Sequence, residues 1–238
     1  MNSNYFHKNF PLLYAYIGTE GNQYEYNEDK IGILSDKYCN LLNSKCEFFP
    51  NGSVYLNSKL HDSWVNSIEE TGNNITIWLN DFQTHCFSDA ICDVYKENIP
   101  HKKRIFPIGI QLNEIKASNI SWINKNNKLI PLNQKKYLSK LSEILFDEAI
   151  SIEPNKIKMG FLFMTNCHSF SNKSTVLFQV ECESMTFIDN QKESFINLFS
   201  GNYTQLFENF WEKRLEGENF DYSNSLELIK KTEQSGSL

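Results

Sequence analysis

At 238 residues, 40% of them hydrophobic and 14% aromatic, the chain carries enough apolar material for a substantial core, which excludes global disorder. Its net charge is −6, and of 23 basic residues only Arg104 and Arg214 are arginine, the wrong sign and the wrong cation for a nucleic-acid partner. No apolar run approaches the roughly 18 residues of a membrane span, and Met1-Asn2-Ser3-Asn4-Tyr5 lacks the basic start of a secretory signal, so a cytoplasmic protein with no membrane partner is expected.

Residues 1–26 hold aromatics without a firm period, as in Tyr14-Ala15-Tyr16-Ile17, and read as a short edge strand or a docked irregular arm. From Asn27, a candidate N-cap followed by Glu28 and Asp29, the residues Ile31, Leu34, Tyr38, Leu41 and Leu42 recur at helical spacing. Phe49-Pro50-Asn51-Gly52 ends that helix, and a short strand is expected over 53–57. A hairpin follows: one strand over 64–70, a Thr71-Gly72-Asn73-Asn74 turn, then alternating Ile75, Ile77 and Leu79. Phe106, Ile108, Ile110 and Leu112 alternate again, with Pro107 placing that strand at an edge or at its own start, and residues 118–124 read as another strand.

Asn133 opens a predicted second helix, with Leu138, Leu141, Leu145 and Ala149 on one stripe. A second hairpin is expected over 149–164, turning at Glu153-Pro154-Asn155-Lys156, with Gly160-Phe161-Leu162-Phe163-Met164 as a strand covered on both faces. Val176, Phe178, Val180 and Cys182 face inward, with Gln179, Glu181 and Glu183 outward. Two helices close the pattern, the first after Asn190 and the second on the stripe Tyr203, Leu206, Phe207, Phe210 and Trp211. Long βαβ alternation and a glycine-rich phosphate loop are absent from this order. The predicted fold is one α+β domain, a mainly antiparallel sheet with helices packed on one side and a C-terminal helix pair. Residues 1–55 form a helical or irregular appendage, 56–216 the sheet and helices, and 217–238 a polar tail.

Several groups are capable of chemistry. His61-Asp62 is the only His-Asp dipeptide, and phosphohydrolases use such a pair on a metal. Those enzymes hold it on a helix, whereas here it precedes a strand, where local capping by Asp62 or Ser63 is the common role. His85, Cys86 and Cys92 could ligate zinc with a more distant fourth ligand, but their spacing matches no standard site, and no metal or other cofactor is expected. Cys167-His168 lacks a group to orient the base, and no Cys-x-x-Cys occurs, so the thiols read as reduced and structural. Paired carboxylates stand at Glu69-Glu70, Asp147-Glu148 and Glu181/Glu183. With the acidic charge, Glu69, Glu70, Glu181 and Glu183 are the expected contacts for a basic protein partner.

Leu60-His61-Asp62-Ser63-x-Val65, followed by a hairpin ending Ile75-Thr76-Ile77-Trp78-Leu79, resembles a strand opening shared by uncharacterised bacterial domain families, some grouped with the immunity proteins that accompany polymorphic toxins. The resemblance covers residues 60–80, with a fainter echo from Val176 to Phe210, and implies a cytoplasmic, non-catalytic binder. It carries over no catalytic residue. The leading expectation is therefore a bacterial interaction protein of the immunity type that neutralises a partner toxin. The alternatives are a metal-dependent hydrolase built on His61, Asp62 and His85, and a secreted bacterial effector with its export signal in the C-terminal tail.

Overall fold

Strands make up most of the described molecule. The computed structural model describes residues 3–20, 28–49, 52–57, 60–80, 107–124, 126–165 and 174–189. The chain divides into two units, Met1–Phe82 with Ile108–Ile188, and Gln83–Pro107 with Asp189–Leu238. The sheet belongs to the first. The expected C-terminal helix pair and the polar tail lie outside the described residues.

Seven described strands form one sheet: β1 (Ser63–Thr71), β2 (Asn74–Asn80), β3 (Pro107–Ile123), β4 (Leu129–Leu132), β5 (Leu141–Glu153), β6 (Lys156–Thr165) and β7 (Ser174–Asp189). Their order is β2-β1-β5-β6-β7-β3-β4, and β2 also pairs with β3. Six strands thus make a closed circuit, with β4 outside it. The pairings of β1 with β2 and β5, of β5 with β6, of β6 with β7 and of β3 with β4 are all antiparallel. With the helices described below, this is the α+β class expected from the element order.

Both hairpins turn where their residues require. Gly72 takes φ 60° ahead of Asn73, the first-position glycine of a type II′ turn, whose twist suits a two-residue connection. Pro154 precedes Asn155 at φ 57°, the proline-then-left-handed order of a type II turn between Glu153 and Lys156. Strand β6 lies between β5 and β7, as its double-sided apolar run requires, and Phe161, Leu162 and Phe163 are fully buried. Pro107 stands at the first position of β3, where its missing N–H costs least.

Three local expectations are corrected. The N-terminal arm is neither strand nor irregular: it forms α1 (Ser3–Asn9) and α2 (Pro11–Glu20). Phe6, Phe10, Leu13 and Ile17 share one helical stripe, and Pro11 sits at the first helical position, where its absent N–H would have no partner. The Phe10 N–H to Phe6 carbonyl and Tyr14 N–H to Phe10 carbonyl bonds, both 2.9 Å, carry the helical pattern across the junction. Residues 53–57 are not a strand; after α3 (Glu28–Ser44), Gly52–Tyr55 makes a single turn, α4, closed by Leu56 N–H on the Gly52 carbonyl at 2.9 Å. The helix predicted from Asn133 stops early. Asn133 does cap it, accepting from Lys136 N–H at 3.1 Å, but α5 spans only Gln134–Leu138, and Leu141 onward is β5. Ile144 to Ala149 are buried without interruption, so that strand has no exposed face to reveal its period.

The helices reach the sheet from more than one direction. On β5, neighbouring residues point to opposite faces. Glu148 meets the start of α2, while Asp147 meets Tyr38 of α3 and the chain after α4. On the α1–α2 side, Phe6, Phe10, Leu13 and Ile17 pack on Leu145, Phe146, Leu162 and Leu177. On the other, Phe49 and Tyr55 stack against Phe187 of β7, with centroids at 5.9 and 4.4 Å. Gln179, expected to face water, is buried beside Phe10 at the edge of the first of these layers.

Candidate functional site

Leu60-His61-Asp62-Ser63 turns the chain into β1. Leu60 is buried, Ser63 N–H bonds the Leu60 carbonyl at 3.1 Å, and Asp62 N–H bonds the Ile144 carbonyl at 3.1 Å. Asp62 sits at φ 64°, a left-handed conformation that aspartate tolerates better than most side chains. His61 Nδ1 lies 2.8 Å from Asp62 Oδ1, and Tyr16 Oη of α2 lies 3.0 Å from His61 Nε2. In the tautomer that donates Nδ1–H to the carboxylate, Nε2 accepts the Tyr16 hydroxyl proton, giving a three-member chain Tyr16–His61–Asp62. Phe146 floors it: its ring stands edge-on to His61 at 5.2 Å and against Tyr16 at 3.6 Å. The His61 and Asp62 side chains remain 28% and 46% exposed.

Sequence reasoning found two members of this chain and missed Tyr16, whose stretch was read without a period. The arrangement orients His61 as a base would be oriented, but both ring nitrogens are already engaged, so a metal ion would have to displace Tyr16 or Asp62 to bind there. His85, Cys86 and Cys92 lie outside the described residues. Among the described residues no group of three or more His, Cys, Asp or Glu is placed to hold a metal ion.

The carboxylate pairs have separate fates. Glu181 is bridged to Lys158 across β6–β7 at 3.0 Å, and Glu183 to Lys116 of β3 at 2.6 Å. Cys182 between them is buried, and its thiol is pushed up to about 12, first by burial and then by the Glu181 charge, as an inert core thiol would be. Glu69 and Glu70 are exposed on β1; Glu69 accepts the Trp78 indole N–H at 3.1 Å, and neither is salt-bridged among the described residues. The four expected partner contacts therefore fall on two strands and in two electrostatic states.

Glu148 is structural. Its carboxylate accepts Leu12 N–H at 3.1 Å and Leu13 N–H at 3.0 Å, satisfying first-turn donors of α2 that have no partner inside the helix. Burial pushes its pKa up to about 7 against the downward pull of those two N–H groups. The folded state thus holds a proton that the unfolded chain, at an ordinary value of 4.5, has already lost. Stability from this group is complete below pH 4.5, falls as pH rises through 7, and is then constant, a loss of roughly 3 kcal/mol. Glu148→Gln, which still accepts a backbone N–H but cannot ionise, is expected to flatten the profile between pH 5 and 8. Urea denaturation across that range checks it; parallel profiles for the two proteins would assign the titration elsewhere.

No helix of the described residues is long and apolar enough to cross a membrane. No family model, characterised protein or solved structure matches the chain.

Proposed function

We propose that this chain is a non-enzymatic interaction protein of the bacterial immunity type, which neutralises a partner protein by covering a basic surface of that partner. The reading rests on Glu69 and Glu70, adjacent carboxylates on an exposed strand that no described cation compensates. The net charge of −6 and the resemblance over residues 60–80 support it. So does the use of other reactive groups: Asp147, Glu148, Glu181 and Glu183 are each bonded into the scaffold. Co-expression with the product of the adjacent gene tests it. Protection from that product's toxicity, and a stoichiometric complex weakened by salt, are expected. No complex and no protection would remove the reading.

The Tyr16–His61–Asp62 chain favours one second reading, hydrolysis with His61, Asp62 and His85 around a metal ion. Elemental analysis of the purified protein and His61→Ala separate the two. Bound metal together with an activity lost in His61→Ala would establish hydrolysis; a metal-free protein whose partner binding survives His61→Ala would exclude it.

A further inference from the structure

Strand β1 is paired unequally along its two edges. Toward β2 it is paired from Trp64↔Asn80 to Thr71↔Asn74. Toward β5 it is paired only at Ser63↔Ile144 and Trp64↔Glu143; in that register Ser142 and Leu141, the start of β5, fall opposite Val65 and Asn66, and β5 offers nothing opposite Ser67–Thr71. From Ser67 to Thr71 the second edge has no strand partner among the described residues, and Ser67, Glu69, Glu70 and Thr71 are exposed. The part that β5 does not reach, Ser67–Thr71, gives an edge of about 17 Å at strand pitch. Residues in an antiparallel pair alternate between bonding their partner and pointing N–H and C=O away, so every second residue here offers a donor and an acceptor outward. The outer edge of β4, by contrast, is four residues long and contains Pro131, which blunts it.

We propose that the Ser67–Thr71 edge of β1 takes up an extended segment of a partner protein as an added strand, and that this segment carries two consecutive basic residues opposite Glu69 and Glu70. The proposal rests on the binding reading above and names the docking element within it. The acidic pair decides the guest. A second copy of this chain would set its own Glu69 and Glu70 against the same strand, and like charges across a ladder repel. A neutral guest would gain only the ladder bonds. Glu69 and Glu70 project to opposite faces, so a complementary guest presents cations on both faces, which means adjacent lysines or arginines rather than alternating ones. The register shift between Val65 and Ser67 marks where the added ladder ends.

The probe is the peptide acetyl-Thr-Val-Thr-Lys-Lys-Thr-Val-Thr-amide, titrated into the full chain with amide hydrogen exchange read residue by residue. Exchange is expected to slow about tenfold at alternate residues of Ser67–Thr71 and nowhere else in the described sheet. The same peptide with Glu-Glu for Lys-Lys is expected to leave exchange unchanged. Glu70→Lys, and separately Glu69→Lys/Glu70→Lys, should weaken binding, the double variant by about tenfold, while Glu153→Lys on the far hairpin turn should not. Three results would overturn the proposal: no slowing within Ser67–Thr71, equal binding by the charge-reversed variants, or self-association through β1 without peptide. Each is independent of whether the adjacent gene product binds, so this edge and the immunity reading fail separately.

Discussion

Phe10→Ala is expected to cost about 3–5 kcal/mol, the range for deleting a large aromatic from a core that cannot collapse to fill the space. Phe10 has no exposed surface and sits where α1 passes into α2, packed in a cluster with Leu13, Leu145, Phe146, Leu162 and Leu177. Its ring lies over Gly160 of β6, where a Cβ would meet the ring edge at less than contact distance. That glycine is therefore a socket, and Gly160→Ala alone should cost about 1–3 kcal/mol by overpacking. The two losses will not add. In Phe10→Ala the socket is empty, so the added methyl of Gly160→Ala should cost much less or become favourable. Urea denaturation of both single variants and the double variant measures the coupling. A strictly additive cycle would mean that the α1–α2 segment does not rest on β6 at this point.

The same contact explains why the N-terminal helices are hard to see in the sequence. A helix announces itself by one apolar stripe and one polar one, but Leu12 is buried beside the Phe10–Leu13–Ile17 stripe, and Tyr14 and Tyr16 are half-covered, so apolar residues run around the cylinder. Strand β5 hid for the matching reason: buried on both faces, it kept no alternation, and the chance spacing of Leu138, Leu141, Leu145 and Ala149 imitated a helix. Strand β2 was legible because Thr76 and Trp78 separate the aliphatic Ile75, Ile77 and Leu79, although Thr76 is itself buried, and both turns were legible because glycine and proline fix the backbone locally. The candidate site was half legible. His61 and Asp62 are adjacent in sequence and announce a local bond, whereas Tyr16 arrives from 45 residues away by docking of α2. No local pattern encodes such an arrival. Glu69 and Glu70 were legible as charges, but the open edge they stand on is set by the stagger of β1 against β5, which only the folded register defines.

Asp147→Ala is expected to destabilise by about 1–4 kcal/mol, from one buried and one half-buried donor left without an acceptor, the buried one at about 1–3 kcal/mol. Asp147 is 1% exposed, and its Oδ2 accepts the Tyr38 hydroxyl at 2.6 Å and the Asn57 N–H at 3.0 Å. These two bonds tie α3 and the chain beyond α4 to the middle of β5. Tyr38 is itself buried, and its phenol is held well above its ordinary value, first by burial and then by the neighbouring Asp147 charge, so it is a proton donor at neutral pH. The orphaned hydroxyl therefore cannot relieve itself by ionising. Replacing it should help: Asp147→Ala/Tyr38→Phe is expected to recover part of the loss, because it removes the buried donor and leaves only the half-buried Asn57 N–H without its acceptor. Urea denaturation at neutral pH, with hydrogen exchange in α3 as a local readout, checks both values. If the double variant were less stable than Asp147→Ala, the Tyr38 hydroxyl would be bonded to something other than Asp147.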